Sequence, residues 1–248
     1  MRAKVFEATY AGHPVRISLR EPETRYCFGA FMRPVSGEDY EIRVDDEELA
    51  RARPEMPPDS KDSEVEYCLL LDKVAGALLR RDCCIFHAAA FLWRGRAWLL
   101  SAPSGTGKTT QLLNWQRLHP GEITVISGDM PVLELRDDGS VWVHPSNWNG
   151  KENYSNPVSA PLGGLVYLKQ GGENRVERPP LRDLITALMY QFTARPETEE
   201  QIRAMSRLLE AMVCAAPPLR FVNLGDDAST ELLRGTLLQE EGERNGTL

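Results

Sequence analysis

The chain has 248 residues, of which 42% are hydrophobic and 26% charged, as is usual for a folded globular protein. Acidic residues outnumber basic ones and give a net charge of −7, which argues against a broad surface for nucleic acid or anionic membrane. Five cysteines without CxxC spacing, no apolar leader and no apolar run near the roughly 20 residues of a membrane span predict a cytoplasmic protein with reduced thiols.

The N-terminal quarter has the pattern of short strands. Apolar and polar residues alternate over Val15–Leu19 and Tyr40–Val44, which favours an antiparallel sheet. Residues 45–58 are charged and rich in proline, so we expect a linker there. The predicted domains are therefore a β-rich lobe with its linker at residues 1–58 and a main domain at residues 59–248.

A helix and a buried strand open the main domain. Ser63 and Glu66 form a capping-box pattern that predicts a helix ending near Arg81. The apolar run 84–92 is typical of one central strand, and a turn at residues 94–96 makes it the antiparallel neighbour of the next strand.

One polar side chain, that of His87, interrupts this apolar strand. It is compatible with a core histidine held by a backbone hydrogen bond, and equally with a group that lies near bound phosphates.

The segment Ser101–Thr110 carries the strongest functional signal. It follows the apolar strand 96–100 and precedes a helical pattern at 111–118, the order found around phosphate-binding P-loops. Glycine leaves room for backbone N–H groups to surround phosphate, and the following helix directs its N-terminus at the same anion. Ala102 stands where the full pattern has glycine. The predicted nucleotide-binding residues are Ser104, Gly105, Thr106, Gly107, Lys108, Thr109 and Thr110.

Three side chains have predicted roles in a reaction at this loop. Lys108 would reach the β- and γ-phosphates, and the Thr109 hydroxyl would bind Mg²⁺. Asp129 follows the predicted strand 123–126, where a carboxylate can reach the same metal ion. An Asx-turn before Pro131 is the structural alternative for Asp129.

An asparagine-rich stretch, residues 144–157, has a composition unlike a packed element. It is suited to binding a polar substrate, with Lys151 as a movable positive charge and Asn149 as a further contact. It is also compatible with a long surface turn. Beyond it we expect strands at 162–168 and 219–224, with helices making up most of the remainder.

The ordered motifs resemble the superfamily of HPr kinase and ATP-dependent phosphoenolpyruvate carboxykinase, in particular its small HPr-kinase-related members. The resemblance covers about residues 60–180 and rests on segments 86–90, 104–110, 126–129, 145–151 and 160–171. It implies an α/β fold in which a mixed sheet carries the P-loop, beside the small N-terminal lobe and the C-terminal helices. It also implies a catalytic set of Lys108, Asp129 and His87, with Thr109 and Asp129 as metal ligands. HPr kinases have two adjacent aspartates where this chain has Gly128 and Asp129.

These observations predict an ATP- and Mg²⁺-dependent kinase that phosphorylates a hydroxyl, seryl in the first instance, of a protein or peptide. Two alternatives stay open: a nucleotide-binding regulatory module without turnover, and a kinase of a small molecule such as free serine. Expected partners are a nucleotide and the acceptor, with homo-oligomers possible.

Overall fold

The computed structural model describes residues 4–35, 41–150, 153–244 and 246. The strands are β1 Lys4–Tyr10, β2 His13–Leu19, β3 Met32–Arg33, β4 Glu41–Arg43, β5 Cys83–Ile85, β6 Ala88–Trp93, β7 Arg96–Ser101, β8 Thr124–Ser127, β9 Val132–Leu135, β10 Val141–His144, β11 Ala160–Gln170, β12 Arg175–Glu177 and β13 Leu219–Asn223. The helices are α1 Arg25–Phe28, α2 Asp46–Ala52, α3 Asp62–Leu79, α4 Lys108–Leu118, α5 Ile185–Met189, α6 Glu199–Ala215 and α7 Asp227–Arg244.

Two sheets organise the described residues. The N-terminal sheet has the order β3-β1-β2-β4, and its β1–β2 hairpin turns at Ala11 and Gly12, both with positive φ. The larger sheet runs β5-β9-β10-β11-β7-β6-β8, and β13 joins the last part of β11 while β12 pairs with β13. Because β11 is parallel to both β7 and β13 while β6 and β7 are antiparallel, the sheet is mixed, and the expected mixed α/β architecture is confirmed.

The larger sheet is covered on both faces because side chains alternate along its strands. In β6, Ala88 and Ala90 belong to the core beneath α3, α6 and the N-terminal sheet, whereas Ala89, Phe91 and Trp93 belong to the core beneath α4 and α7. On β11, a Cβ at Gly164 would lie 2.0 Å from the Trp98 ring, so glycine is what allows this ring to pack against the strand.

The predicted linker at residues 45–58 is wrong as a description of local structure, because it contains α2. The Asp45 carboxylate accepts a hydrogen bond from Glu48 N, and Asp45 N donates to the Glu48 carboxylate, each at 2.9 Å. Glu48 also pairs with Lys73 of α3 at 2.6 Å. The prolines follow the helix and do not interrupt it, and the domain boundary at residue 58 stays a prediction.

The capping box predicted at Ser63 is also wrong. Helix α3 begins at Asp62, and its cap is made by Glu64, whose carboxylate accepts from Lys61 N at 2.9 Å. Glu66 is instead fully buried and accepts hydrogen bonds from Arg20 N, Glu21 N and the Thr24 hydroxyl, at 2.6, 3.0 and 2.5 Å. It therefore anchors the N-terminal segment to α3.

The apolar run 84–92 is not one strand, which corrects the sequence prediction. It divides at Phe86 and His87, so that β5 pairs with β9 while β6 pairs with β7 and β8. Backbone hydrogen bonds hold the break: Phe86 N donates to Pro131 O and His87 N to Gln191 O. Apolar character predicted burial here but carried no information about the change of partner strand.

Within the described part of the chain, no helix combines the length and apolar character that a membrane crossing needs.

Candidate functional site

The loop between β7 and α4 is shaped by two glycines. Gly105 has φ +77° and Gly107 φ +109°, a region that L-residues with side chains rarely adopt. No atom lies within 4 Å of where a Cβ would stand at either position, so the backbone conformation, and not space, requires glycine there. Gly107 directly precedes Lys108, the first residue of α4, so the free N–H groups of the first helical turn adjoin the loop.

Lys108 turns back beneath this loop. Its Nζ lies 2.8 Å from His87 Nε2, 3.1 Å from the Ala102 carbonyl and 3.9 Å from Asp129 Oδ1. The side chain is only 7% exposed. Burial lowers the pKa of Lys108, and the nearby Asp129 carboxylate opposes that shift. Ala102 stands where the full P-loop pattern has glycine. It is fully buried, and its backbone carbonyl accepts the hydrogen bond from Lys108.

His87 is oriented by a residue that the sequence analysis did not single out. The Gln191 side-chain amide donates to Ala187 O at 3.1 Å, which turns its Oε1 towards His87 Nδ1 at 3.0 Å. That oxygen can only accept, so Nδ1 carries a proton. His87 Nε2 lies 2.8 Å from Lys108 Nζ and 3.2 Å from Asp129 Oδ1, so it contacts both charged side chains. The structure thus places His87 at the predicted loop and not in a closed core.

Asp129 follows β8, as expected, and reaches the same cluster. Its backbone carbonyl accepts from Ala88 N at 2.8 Å, which joins the end of β8 to the start of β6. Its carboxylate keeps about 30% of its surface accessible. Asp129, His87 and Lys108 therefore meet although they come from three separate segments of the chain.

These residues suit a phosphate group accompanied by a hard divalent ion. The glycine-shaped loop offers backbone donors, Lys108 offers a cation, and Thr109 and Asp129 offer oxygen ligands of the kind Mg²⁺ prefers. No group of three or more His, Cys, Asp or Glu side chains in the described residues could hold a metal by itself. Mg²⁺ bound with a nucleotide does not need such a group, because phosphate oxygens and water complete its coordination.

Gly128, beside Asp129, has a packing reason. An added Cβ would lie 2.6 Å from the Asn149 carbonyl oxygen and 3.3 Å from the Tyr154 Cβ. Gly128 N also donates to Tyr154 O at 2.8 Å. The space that a second aspartate would need is therefore filled by the asparagine-rich segment.

The first part of the asparagine-rich segment is packed, which its composition did not predict, whereas Asn153, Tyr154, Asn156 and Pro157 are exposed, as in a surface turn. Ser146, Asn147, Trp148 and Asn149 are all buried. The Asn147 amide accepts from the Tyr10 hydroxyl at 2.6 Å and donates to the Tyr67 hydroxyl at 3.2 Å. Lys151 lies outside the described residues, so its predicted contact with substrate stays a prediction.

Two separate cavities adjoin these elements. A cleft of about 660 Å³ is lined by His87 and Ser104 of the candidate site together with Tyr167, Asp183, Tyr190 and Gln191. A second cavity, of about 550 Å³, lies between the N-terminal sheet and the asparagine-rich segment and includes Asn149. Asn149 thus lines a different cavity from His87 and Ser104.

The sequence analysis also did not identify two glutamines whose hydrogen bonds hold the glycine loop and the start of α4 in place. Gln111, in the first turns of α4, is fully buried and donates to Ser229 Oγ at 2.7 Å and to Asn223 Oδ1 at 3.3 Å. Gln170 donates to Gly105 O at 3.3 Å. A single glutamine within a helix or strand pattern gives no sign of such contacts.

No family model matches the sequence, and no curated protein matches it. Among solved structures, the Hpr(Ser) kinase/phosphatase from Coxiella burnetii is similar to this chain with a TM-score of 0.37 and 10% sequence identity. The match covers 65% of this chain and 95% of that one. The similarity is distant and lies at the level of the fold.

Proposed function

We propose that the protein is an ATP- and Mg²⁺-dependent kinase that transfers the γ-phosphate to a hydroxyl group, seryl in the first instance, of a protein or peptide. The observation that carries this proposal is the meeting of Lys108, His87 and Asp129 directly beneath a glycine-shaped loop. A lysine cation at the phosphates and a carboxylate that binds the metal ion or accepts the acceptor proton recur around phosphate-binding loops. The His87 imidazole contacts both of these groups.

Each residue has a proposed task. Backbone N–H groups of residues 104–110 and the Lys108 ammonium would bind the phosphates, and the Thr109 hydroxyl and Asp129 would hold the metal. Bound Mg²⁺ would supply positive charge that neutralises the phosphate oxygens. His87 would keep the Lys108 ammonium in place through Nε2, since Gln191 fixes its ring.

In the transfer itself, the acceptor oxygen would form a bond to the γ-phosphorus while the bond between that phosphorus and the β–γ bridging oxygen breaks. The hydroxyl proton would pass to the Asp129 carboxylate, and ADP would leave. The accessible cleft beside His87 and Ser104 is where we propose that the acceptor hydroxyl approaches, because it is lined by one member of the cluster, His87, and by the loop residue Ser104.

The test is phosphate transfer by Lys108→Ala, with Lys61→Ala as the matched control. Lys61 is exposed at the start of α3, away from the loop. With labelled ATP and a degenerate library of serine-containing peptides, we expect Lys108→Ala to lose on the order of 10³-fold in rate. Undiminished transfer by Lys108→Ala would contradict the proposal. Transfer to free serine but not to peptides would instead identify a small-molecule kinase.

A second candidate is a nucleotide-binding module without turnover. The packing of Asn149 O against Gly128 favours it, because it leaves Asp129 without a neighbouring carboxylate. Stabilisation by nucleotide, with no ATP consumed across peptides and free serine, would support this candidate over the kinase.

A further inference from the structure

The cavity between the N-terminal sheet and the asparagine-rich segment contains none of the three clustered side chains of the candidate site. We call it the junction cavity; its walls include Thr9, Phe31 and Arg33 on one side and Asn149 and Asn156 on the other. Its volume of about 550 Å³ is large enough to hold a few side chains of a bound peptide or a small metabolite.

Asn149 is the feature of the junction cavity that points to a ligand. The residue is 7% exposed and lines the cavity, and no hydrogen bond of its side-chain amide is found among the described residues. Asn147, two residues earlier, uses both ends of its amide on Tyr10 and Tyr67. The Asn149 amide is therefore available to a molecule in the cavity.

The charge of the lining indicates the chemistry of that molecule. Arg33 is exposed, and within the described chain no carboxylate lies at ion-pair distance from it; its Nη1 donates to the carbonyls of Ala30 and Met32. The part of the lining that the structure describes contains no Asp or Glu side chain. His144, also in the lining, is held by Glu134 and Ser159 at 3.0 and 2.9 Å, and burial lowers its pKa. Among the described residues, the cavity therefore presents the Arg33 cation and hydrogen-bonding amides, with no acid facing them.

The junction cavity is also connected to the candidate site. The Asn149 backbone carbonyl packs on Gly128, the residue before Asp129, while the Asn149 side chain lines the cavity. Phe28, which lines the cavity, belongs to a packed aromatic cluster in which Trp148 contacts Tyr10, Phe28 and Tyr67 with ring centroids 5.6–5.7 Å apart. A ligand held there would be fixed relative to Asp129.

We propose that the junction cavity binds a carboxylate-bearing segment of the acceptor peptide, with Arg33 pairing with the carboxylate and the Asn149 amide binding the peptide backbone. This inference rests on the proposed kinase function in one respect: it takes the bound peptide to be the phosphate acceptor. The recognition chemistry itself does not depend on turnover.

The test measures binding of acetylated heptapeptide pools whose central residue is fixed as Asp, Asn or Lys and whose other positions are degenerate. We expect the Asp pool to bind at least about tenfold more tightly than the Lys pool, Arg33→Glu to abolish or invert this preference, and Asn149→Ala to weaken both Asp and Asn pools. Arg203→Glu, at an exposed position of α6, is the charge-matched control and should keep the wild-type preference. Equal binding of the pools, or a preference that survives Arg33→Glu, would overturn the proposal.

Location and source are tested separately. The Cys27 thiol lines the junction cavity and is exposed, so in a Cys68→Ser/Cys214→Ser background the Asp pool should slow its alkylation by iodoacetamide. If free succinate protects Cys27 as well as the Asp pool does, a small carboxylate and not a peptide is the ligand, and the peptide assignment is wrong.

Lys108→Ala separates this inference from the kinase proposal. Pool binding should persist in Lys108→Ala, because Lys108 lies outside the junction cavity. In the wild-type protein, pool binding without any phosphate transfer would support peptide recognition and refute the kinase proposal. Phosphate transfer without a charge preference in pool binding would support the kinase and refute the peptide site.

Discussion

At Gly128, the absence of a side chain should affect the stability of the protein. Its φ is not in the left-handed region, so the cost of a side chain there comes from the 2.6 Å contact with Asn149 O. We expect Gly128→Ala to lower the free energy of unfolding by about 1–3 kcal/mol in urea denaturation. Gly172→Ala is the control: no atom lies within 4 Å of its Cβ position, and its φ is also unstrained. If the two variants were equally stable, the backbone around Asn149 would be able to shift and make room for the added methyl group at little cost.

Glu122 should make stability depend on pH. Hydrogen bonds from Arg234 above all lower the pKa of this carboxyl to about 2, from 4.5. Because the folded pKa lies below the unfolded value, the stabilisation is complete above pH 4.5 and is lost as the pH falls towards 2.

Glu122→Gln should therefore be less stable than wild type by about 1 kcal/mol at pH 7, and the difference should shrink as the pH falls through that window. Unfolding free energies at pH 7, 4 and 3 check this, with the exposed Glu200→Gln as control. If the difference in unfolding free energy between wild type and Glu122→Gln did not change with pH, the charge of Glu122 would not be what stabilises the fold.

The sequence was informative about the clustered residues for a physical reason. Lys108 and Asp129 belong to local patterns, a glycine loop before a helix and a carboxylate after a strand, so short segments reveal them. His87 was noticeable as a polar residue in an apolar run. Gln191 acts only through contact with His87, more than a hundred residues away, and nothing local marks it.

At the scale of elements, Trp148 joins the asparagine-rich segment to the N-terminal sheet and α3. It is 5% exposed and contacts three aromatic rings, but its indole N–H is buried without a partner. We expect Trp148→Phe to cost less than about 1.5 kcal/mol, because it removes the unpaired N–H, and Trp148→Ala about 3–5 kcal/mol. Thermal and urea denaturation measure both. A Phe variant as unstable as the Ala variant would show that ring size, not polarity, dominates.

Sequence patterns predicted most strands and the helices after Gly107 and Thr198, because alternation and caps are local properties. They failed where contact with distant elements decides the structure. Glu66 looked like a cap for its own helix but binds the backbone of residues 20 and 21. The asparagine-rich segment had the composition of a substrate-binding loop or a surface turn, yet residues 146–149 are buried and Trp148 packs among three aromatic rings. The strand division at His87 follows from a change of sheet neighbours.

At the scale of the whole molecule, nucleotide binding should stabilise the fold. If ATP binds only the folded protein, a concentration of 100 times Kd adds about 2.7 kcal/mol, which corresponds to about 5–10 °C in Tm for a chain of this size. Thermal unfolding with and without Mg²⁺–ATP measures the shift. Lys108→Ala should lose most of it and Lys61→Ala none. An unchanged Tm in the wild-type protein would contradict nucleotide binding at the loop.

The break between β5 and β6 also has a consequence for the order in which the molecule is made. His87 N donates to Gln191 O, and β13, which follows Gln191 in the chain, is one of the two parallel neighbours of β11. During synthesis, the glycine loop and Asp129 leave the ribosome well before Gln191 does. The imidazole cannot be oriented until that later segment has emerged and docked. A nascent chain stopped near residue 180 would therefore carry the loop and both charged side chains without the arrangement that makes them a site.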